Sequence, residues 1–526
     1  MLVPLAGKAF HIDDALFVTL AGHLVRHIFS YPFPPGVLHA NPPGQFYVVA
    51  AALALFGESE RALHLAVLPF TLLALWGMAA LARELGVSGT AAALLLVCNA
   101  CFLVSASTLM PDVEVLGFVL PAIALLWSDA RAPSRGKLAA CTLLFAVGWS
   151  LRASAFPVLL LAAGAQAVRG NRRALVPLSA LVAAFVAFAA LTQAHNPELL
   201  SYGRAVIGRS LEQAGWRAVS TLFALLFASV VALLALVLLP ARGAFRVAEL
   251  AGLALACAGL LRVQPWGAVA GLALLAAGRV DWAARNARRL SPDTIFLLLW
   301  AAGALLVPVL YVSAAAKFVN LALPPLLLLV LRAAPALRPA RVALVAAAGL
   351  CVGVAVSIAD AHLAAAQRDS LLEVAAAARA TGATVWAGGH KWGPYLYARR
   401  AGIRFGGFTA EGEDTDDPAG LAGLRPGDLI LDPTFPYSLS LPRGSVEVAG
   451  QAVRGDAFPV RVMSGGAGLW GSVWGSFPFV IDVRAPLVAT RILRVRYGSF
   501  RGSNGLPLQP LDRLPPLEDD WVPRRW

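Results

Sequence analysis

Charged side chains are scarce in this chain of 526 residues. They make up 14% of it, while hydrophobic residues make up 59%. Soluble globular domains carry about 25% charged residues. The mean hydropathy of +0.71 points in the same direction. This composition excludes an ordinary soluble domain and predicts a protein that is dissolved in lipid.

Cysteine is also rare. The five cysteines all lie within apolar stretches, at Cys98, Cys101, Cys141, Cys257 and Cys351. Disulfide frameworks and structural zinc sites need cysteines in exposed, paired arrangements. Cys98 and Cys101 have C-x-x-C spacing, but no second pair accompanies them, so we interpret them as small apolar residues of one helix. Thiol redox chemistry and structural zinc are not expected.

Acidic residues are outnumbered, which gives a net charge of +13. Residues 1–359 carry 25 Lys and Arg against 13 Asp and Glu, whereas residues 360–526 carry 18 against 17. The excess falls mainly in alternate connections between apolar segments, among them the one that carries Arg169, Arg172 and Arg173. Because cytoplasmic loops collect positive charge, these connections are predicted to be cytoplasmic. We therefore expect no nucleic-acid partner. The N-terminal loop and everything after residue 360 are predicted to be extracytoplasmic.

Apolar segments recur along the chain and predict an α-helical polytopic membrane protein with about 12–13 transmembrane helices. We place twelve of them at residues 62–82, 90–108, 113–128, 138–150, 153–168, 174–192, 218–240, 246–261, 263–278, 293–313, 318–332 and 341–359. The first ten residues are too short to span a bilayer. We expect that the assigned start has lost a first helix.

Three regions follow from this pattern. Residues 1–359 form the predicted transmembrane domain in the inner membrane, and residues 10–61 form its first extracytoplasmic loop. Within that loop, residues 45–57 are apolar but too short to cross, which predicts an interfacial helix. Residues 360–526 predict an α/β domain with a helix at 371–379, strands at 384–387, 428–431, 480–483 and 492–495, and a Pro-rich tail.

Acidic residues at a membrane edge are costly to keep, so each is a functional candidate. Asp13, Asp14 and Asp112 all fall on the predicted outer side. Converging carboxylates could bind a divalent cation, Mg²⁺ or Mn²⁺, through Asp13 and Asp112. One of them could instead be a general base for an acceptor hydroxyl. Alternatively, Asp13 and Asp112 could cap the helices that follow them.

The order of several short motifs resembles the GT-C superfamily of membrane glycosyltransferases. The motifs are Asp13-Asp14-Ala15-Leu16-Phe17, Asn41-Pro42-Pro43-Gly44-Gln45-Phe46-Tyr47, Phe56-Gly57-Glu58-Ser59-Glu60, Leu81-Ala82-Arg83-Glu84-Leu85-Gly86 and Met110-Pro111-Asp112. The resemblance is to the protein O-mannosyltransferase (dolichyl-phosphate-mannose-protein mannosyltransferase) and aminoarabinose-transferase branch. It covers residues 10–130 well and the stretch around Lys317 more loosely.

This resemblance implies transfer of a sugar from a polyprenyl-phosphate donor to a hydroxyl acceptor at the extracytoplasmic face, with inversion at the anomeric carbon. It implies that Asp13 is the essential acid, that Asp112 organises the site, and that Asp14 replaces a frequent Glu. Relatives of the aminoarabinose-transferase kind have a Lys where Asn41 stands, so other cations would compensate. The substrate-binding and phosphate-binding candidates are Asn41, Tyr47, Arg204, Arg209 and Lys317.

Two functions from other classes stay open. A secondary transporter or lipid flippase would use the same acids for ion coupling and would have inverted repeats and broken helices. A non-catalytic glycan-binding protein could stack sugars on Trp470 and Trp474 of the Gly/Trp-rich segment Gly465–Gly475, although a tight turn with core aromatics explains that segment equally well. We interpret Arg152 as a break between two apolar segments rather than a substrate contact.

Overall fold

The computed structural model describes residues 2–28, 41–195, 213–239, 244–286, 291–311, 314–334, 338–387, 394–405, 424–433, 446–472 and 474–496. The chain divides into two compact units. The first unit contains Met1–Lys8, Leu20–Ala361 and Phe458–Val483. The second unit contains Ala9–Thr19, His362–Ala457 and Arg484–Trp526. The predicted boundary between residues 359 and 360 lies close to the observed one. The sequence analysis did not predict that residues 458–483 belong to the first unit or that residues 9–19 belong to the second.

Helices make up most of the described chain. In chain order they are α1 (Leu2–Leu5), α2 (Asp14–Arg26), α3 (Gly44–Phe56), α4 (Glu60–Ala66), α5 (Leu68–Glu84), α6 (Gly89–Val97), α7 (Ala100–Ser105), α8 (Pro111–Arg131), α9 (Arg135–Leu151), α10 (Ala155–Val168), α11 (Leu175–His195), α12 (Ala214–Phe227), α13 (Val231–Leu238), α14 (Ala244–Leu261), α15 (Pro265–Asn286), α16 (Pro292–Leu310), α17 (Leu323–Ala333), α18 (Pro339–Ala380) and α19 (Pro394–Arg400). Two short 3₁₀ helices lie at Arg172–Ala174 and Ala316–Leu321.

Five helical stretches among the described residues are long and apolar enough to cross a membrane: Glu60–Glu84, Pro111–Arg131, Arg172–His195, Pro292–Leu310 and Pro339–Ala380. Helices α12 and α13 together add a sixth, bent by 57°. The predicted helical membrane architecture is confirmed. Length and composition give fewer spans here than the twelve apolar segments of the sequence, because several of those segments form shorter helices such as α10 and α17.

Two predicted spans are broken. The segment predicted at 90–108 divides into α6 and α7 at Asn99, whose side chain donates to the Leu95 carbonyl (2.5 Å) and accepts from the Val230 amide (2.8 Å). The Cys101 amide donates to the Ala228 carbonyl (3.1 Å). These bonds join the first break to the bend between α12 and α13, so backbone groups released by each break find partners in the other.

Small residues hold α8 against α5. A Cβ atom added at Gly77 would lie 2.4 Å from Cδ of Pro121, and one added at Gly117 would lie 2.7 Å from the Phe70 carbonyl oxygen. Only glycine permits backbones to approach this closely, as is common between membrane helices. The contact fixes the helix that carries Asp112.

Helix α8 has a buried carboxylate at each end. Asp112 lies in its first turn and Asp129 in its last, about 26 Å apart along the helix axis. Asp129 Oδ2 accepts from Arg173 Nε at 2.9 Å. This places Arg173, from a connection predicted to be cytoplasmic, at the opposite end of α8 from Asp112, in agreement with the predicted alternation of positive charge.

The second unit contains a five-stranded sheet in the order β2-β1-β3-β7-β4, with β1 (Val385–Ala387), β2 (Arg404–Phe405), β3 (Leu429–Pro433), β4 (Val446–Arg454) and β7 (Val488–Val495). Strand β1 is parallel to β2 and β3, and β7 is antiparallel to β3 and β4. The strands predicted at 384–387, 428–431 and 492–495 are confirmed. Alternate apolar residues form the core, including Trp386, Ile430 and Leu493.

The segment Phe458–Val483, which was predicted as part of the α/β domain, belongs to the first unit. Its short strands β5 (Val460–Arg461) and β6 (Val480–Ile481) pair with each other in a separate two-stranded sheet. The strand predicted at 480–483 therefore exists but lies outside the five-stranded sheet. Hydropathy alone does not distinguish these alternatives, since both sheets use short β-branched segments.

Candidate active site

Asp112 is fixed at the start of α8 by the residues around it. Met110 is extended, Pro111 occupies the first helical position, and Asp112 follows it with only 3% of its surface exposed. Proline favours this position, and negative charge is stabilised in the first turn of a helix. The Asp112 carboxylate also accepts a hydrogen bond from Nη1 of Arg152. Asp112 is therefore not only a residue that stabilises the start of a helix, because it also forms an ion pair with Arg152.

Arg152 lies in the extended break between α9 and α10. The sequence analysis interpreted Arg152 as a break rather than a substrate contact; the break is confirmed, and the structure also places Arg152 against Asp112. Besides its bond to Asp112, Arg152 donates from Nε to Ser154 Oγ at 3.0 Å. Its Cζ atom lies 5.1 Å from the ring centroid of Phe318, within cation–π range. A single charged residue within an apolar sequence was the signal for this role.

The 3₁₀ helix Ala316–Leu321 supplies the opposite wall. Because this helix has three residues per turn, Lys317 and Asn320 share one face. Lys317 Nζ lies 3.0 Å from Sδ of Met110. Asn320 donates from Nδ2 to Ser105 Oγ (2.9 Å) and to the Cys101 carbonyl (3.3 Å). Its buried Oδ1 has no hydrogen-bond partner among the described residues. That oxygen can still accept a hydrogen bond.

These side chains enclose a small cavity. Its lining includes Asp112, Arg152, Ser154, Lys317 and Asn320, together with apolar residues of α8 and α16. The volume open to the centres of water molecules is about 10 Å³, enough for about one water. Two cations face one carboxylate here, so the site has the charge to attract an anion. A sugar phosphate would require the cavity to widen.

The motif that runs from Asn41 to Tyr47 packs beside this site. Asn41 Oδ1 accepts from the Ala153 amide at 3.4 Å, and Gln45 Nε2 donates to the Leu109 carbonyl at 2.6 Å. A Cβ atom at Gly44 would lie 2.5 Å from Oγ of Ser150, so this position has no room for a side chain. The structure therefore places Asn41, a predicted substrate-binding residue, against the break that carries Arg152.

The other predicted substrate-binding residues are placed differently. Tyr47 is on α3 with 38% of its surface exposed. Arg204 and Arg209 lie outside the described residues.

A cation that the sequence analysis did not select is buried in α12. Arg217 is 2% exposed, and its Nε and Nη2 atoms have no hydrogen-bond partner among the residues that the structure describes. Helix α12 packs against the 3₁₀ helix that carries Lys317. A buried guanidinium without an anion is costly, so this position is suited to an anionic ligand. An arginine in an apolar segment was the available sequence signal.

Asp13 and Asp14 belong to the second unit, at the start of α2. Asp13 is half-buried, whereas Asp14 is fully buried, with Oδ2 placed 3.4 Å from the His11 amide and 3.6 Å from His11 Nδ1. Ile12, just before the pair, has a φ of 50°. A β-branched residue rarely adopts this left-handed conformation, and such strain concentrates at functional sites.

Metal binding was expected from the convergence of three acids. Among the described residues, no group of three or more His, Cys, Asp or Glu side chains could hold a metal ion. A site made by Asp13 and Asp112 with substrate oxygens stays a prediction.

No family model matches the sequence, and no curated protein matches it. Among solved structures, the chain is similar to the crystal structure of ArnT from Cupriavidus metallidurans bound to undecaprenyl phosphate. The sequence identity is 14% and the TM-score 0.50, with 85% of this chain and 94% of that chain covered. The chain has the GT-C fold. The apo-state structure of the same ArnT gives 13% identity and a TM-score of 0.40, with 94% and 96% covered.

The fold that the resemblance implied is confirmed, whereas membership of the GT-C superfamily stays a prediction. Membership of the protein O-mannosyltransferase family stays a prediction. The GT-C likeness also extends well beyond residues 10–130, where the sequence motifs are concentrated.

Proposed function

We propose that this protein is a membrane glycosyltransferase that transfers a sugar from a polyprenyl-phosphate donor to a hydroxyl acceptor. The observation that carries the proposal is the buried charge arrangement of Asp112, Arg152 and Lys317 within a GT-C fold. The solved neighbour with this fold was bound to undecaprenyl phosphate. The acceptor class, whether protein, lipid or glycan, is left open.

In this proposal the cations stabilise the departing phosphate. Lys317 supplies a compact positive charge, and Arg152 supplies a planar guanidinium that can form paired hydrogen bonds with phosphate oxygens. Arg217 offers further unpaired donors on the neighbouring helix. Preorganised cations act strongly where water is excluded, and they stabilise charge that develops as the glycosidic bond breaks.

The carboxylates take different roles. The acceptor oxygen forms a bond to the anomeric carbon from the side opposite the phosphate, the carbon–oxygen bond to phosphate breaks, and polyprenyl phosphate leaves with its bonding electrons. The acceptor proton passes to Asp13, which we propose as the general base. Asp112 is neutralised by Arg152 and therefore serves to orient the guanidinium. Attack from the opposite side gives inversion of configuration.

A divalent cation, Mg²⁺ or Mn²⁺, bound by Asp13 and Asp112 could organise the acceptor and phosphate oxygens. Chelation with EDTA followed by addition of each metal tests this proposal. Loss of transfer after chelation with recovery on metal addition supports a cation, whereas unchanged transfer rules it out.

The protein is an integral membrane protein. We propose that it lies in the inner membrane, with the Asp112 end of α8 and the predicted domain at residues 360–526 on the periplasmic side. The supporting observation is that Arg173 and Arg169 bind Asp129 and Asp293 in the region predicted to be cytoplasmic, while Lys317 and Arg152 lie at the Asp112 end. Replacing Ser88 or Ser464 with cysteine and measuring how accessible each cysteine is to labelling in intact cells tests the orientation.

The decisive experiment measures binding and turnover with purified protein. Undecaprenyl phosphate is titrated in detergent, with undecaprenol as the matched lipid that lacks phosphate. Synthetic polyprenyl-phosphate sugars are then tested for release of polyprenyl phosphate. Selective binding of the phosphate lipid together with sugar release supports the proposal. Equal binding of both lipids, or no release from any donor in the presence of cell-envelope acceptors, overturns it.

Transport was the principal alternative, and it predicted broken helices. The structure does contain two breaks, at Asn99 and between α12 and α13. The groups named at these breaks hydrogen-bond to each other, and no carboxylate takes part in those bonds. The described breaks therefore give no specific support for ion coupling, and transfer remains the function that the site supports best.

A further inference from the structure

The Gly/Trp-rich segment lies against the backbone that leads into Lys317. The Ala314 amide donates to Ser472 Oγ at 3.0 Å, and the Ser472 amide donates to the Ala314 carbonyl at 2.6 Å. The Ala316 amide donates to the Leu469 carbonyl at 2.7 Å. Three hydrogen bonds therefore fix the chain up to the residue just before Lys317.

Glycines allow this segment to fold tightly. A Cβ atom at Gly468 would lie 2.3 Å from the Gly475 carbonyl oxygen, and one at Gly475 would lie 1.9 Å from the Gly466 carbonyl oxygen. No other residue fits such approaches of backbone to backbone. The glycines are thus explained by a compact turn, which the sequence analysis weighed equally with sugar stacking.

Trp470 connects this turn to the Lys317 side chain. It is 5% exposed, and the centroid of its ring lies 5.8 Å from Lys317 Nζ. Its Nε1 donates to Asp360 Oδ1 at 2.7 Å, which fixes the plane of the ring. A ring this deeply buried presents little surface on which a sugar could stack. It is well placed to hold an ammonium group.

Asp360 is itself held by a buried ion pair. Its Oδ2 accepts from Lys8 Nζ at 2.9 Å, and both side chains are nearly inaccessible to solvent. Lys8 also donates to Ser107 Oγ at 3.3 Å. Because Asp360 is neutralised by Lys8, it holds the indole without adding unbalanced charge near Lys317. Lys8 therefore contacts Asp360, Asp360 contacts Trp470, and Trp470 contacts Lys317.

We propose that Trp470, oriented by Asp360, is a positioning residue that sets the location of the Lys317 ammonium group. The Gly/Trp-rich segment then acts as a support for the site rather than as a glycan-binding surface. The catalytic meaning of this role rests on the proposed function, in which Lys317 stabilises the departing phosphate. The physical placement of Lys317 can be tested without any substrate.

The first test measures acylation of Lys317 by an amine-reactive reagent, quantified by mass spectrometry with Lys137 as the internal reference. Trp470→Leu removes the ring, and Trp470→Phe keeps an aromatic face while removing the indole N–H. We expect Lys317 to react about threefold faster or more in Trp470→Leu, with a smaller change in Trp470→Phe. The control is Trp76→Leu, which removes an exposed tryptophan from α5.

Ser472→Ala provides a second, milder variant should Trp470→Leu fail to fold. It removes one of the three hydrogen bonds to the segment before Lys317 and should also increase the Lys317 reaction rate. Unchanged relative rates in the folded variants, or an equal increase in Trp76→Leu, overturn the proposal. This outcome does not depend on whether the protein binds a polyprenyl lipid.

The second test is a double-mutant cycle with undecaprenyl phosphate as the probe. Trp470→Leu should weaken binding about three- to tenfold in the native background and leave it unchanged in Lys317→Met, because the tryptophan acts through that lysine. Equal loss in both backgrounds indicates a general structural role and overturns the proposal. If native protein does not bind the probe, the proposed function fails, and the acylation rates alone decide the role of Trp470.

Discussion

Asp112 and Arg152 form a buried ion pair between the first turn of α8 and the break that separates α9 from α10. The two residues are 40 positions apart in the sequence. This pair joins the start of α8 to that break at the cavity that also contains Lys317 and Asn320. It places a fixed guanidinium beside the position proposed for the donor phosphate.

Breaking this pair should destabilise the protein. Asp112→Asn leaves the Arg152 guanidinium buried without its anion, which costs about 3–5 kcal/mol at a buried site. Thermal unfolding of the purified variant in detergent measures the loss. Arg131→Met is the matched control, because Arg131 pairs with Glu84 while its side chain is 62% exposed, and an exposed pair contributes at most about 1 kcal/mol. Equal stability of the two variants would contradict the expected difference.

Removal of Arg217 should separate stability from ligand binding. Arg217→Met eliminates a buried charge whose Nε and Nη2 atoms have no partner within the described ranges, so the unfolding temperature should stay the same or rise. Affinity for undecaprenyl phosphate should fall about tenfold or more, since a hydrogen bond to a charged group contributes about 1.5–3 kcal/mol. Arg61→Met, at an exposed position, serves as the control. A less stable variant that binds the lipid normally would assign Arg217 a structural role.

Asp13→Asn should abolish transfer without lowering membrane expression. The Asn side chain is similar in size to the carboxylate but cannot take the proton from the acceptor hydroxyl. Loss of a general base lowers the rate about 10²- to 10⁴-fold. Initial rates with a polyprenyl-phosphate sugar measure the effect. Unchanged turnover would remove Asp13 from the mechanism. Asp14→Asn provides a comparison: Asp14 is fully buried, so its replacement should reduce expression or stability as well.

The sheet of the second unit should lose stability in acid through Glu447. Hydrogen bonds from Arg496, with further attraction from Arg496 and Arg494, hold the pKa of Glu447 below its ordinary value of 4.5. A carboxyl group with a lowered folded pKa contributes stability above pH 4.5, and that contribution disappears as the pH falls through the folded pKa. Hydrogen exchange of the β4 and β7 amides between pH 6 and 3 measures this loss.

Glu447→Gln is the control for that measurement. It should reduce protection at pH 6 and make the acid-dependent loss smaller, because its amide does not titrate. The effect is modest, since Glu447 lies on the exposed face of the strand pair. The same acid dependence in the native protein and in Glu447→Gln would assign the effect to other carboxylates.

Local patterns predicted much of the architecture. Helix α3 was expected at 45–57 and is found at Gly44–Phe56, because the Pro-Pro-Gly before it and Gly57 after it limit an apolar run. Asn99 was not expected to divide a helix. Its break depends on a hydrogen bond from the Val230 amide, which lies 131 positions away. Hydropathy of the 90–108 segment contains no information about that partner.

The predicted site shows the same division. Asp112 and Lys317 were selected from short motifs, and the structure brings both to one cavity. Arg152 was interpreted as a break, and Arg217 was not selected. Their roles depend on whether a neighbouring residue supplies an anion. The spacing of residues along the sequence does not reveal this. The broken spans likewise show that an apolar segment can satisfy its backbone through distant contacts instead of one continuous helix.

The sequence by itself determined that this is a helical membrane protein, and its short motifs indicated the GT-C superfamily. Hydropathy and charge are local properties of the chain, so they define its solvent and its helical segments. Only the tertiary structure decided that Arg152 faces Asp112, that Nε and Nη2 of Arg217 find no partner in the described part of the chain, and that Trp470 lies beside Lys317. These relationships join residues far apart in sequence, and packing of the helices alone determines which charges meet in a medium too apolar to leave them unpaired.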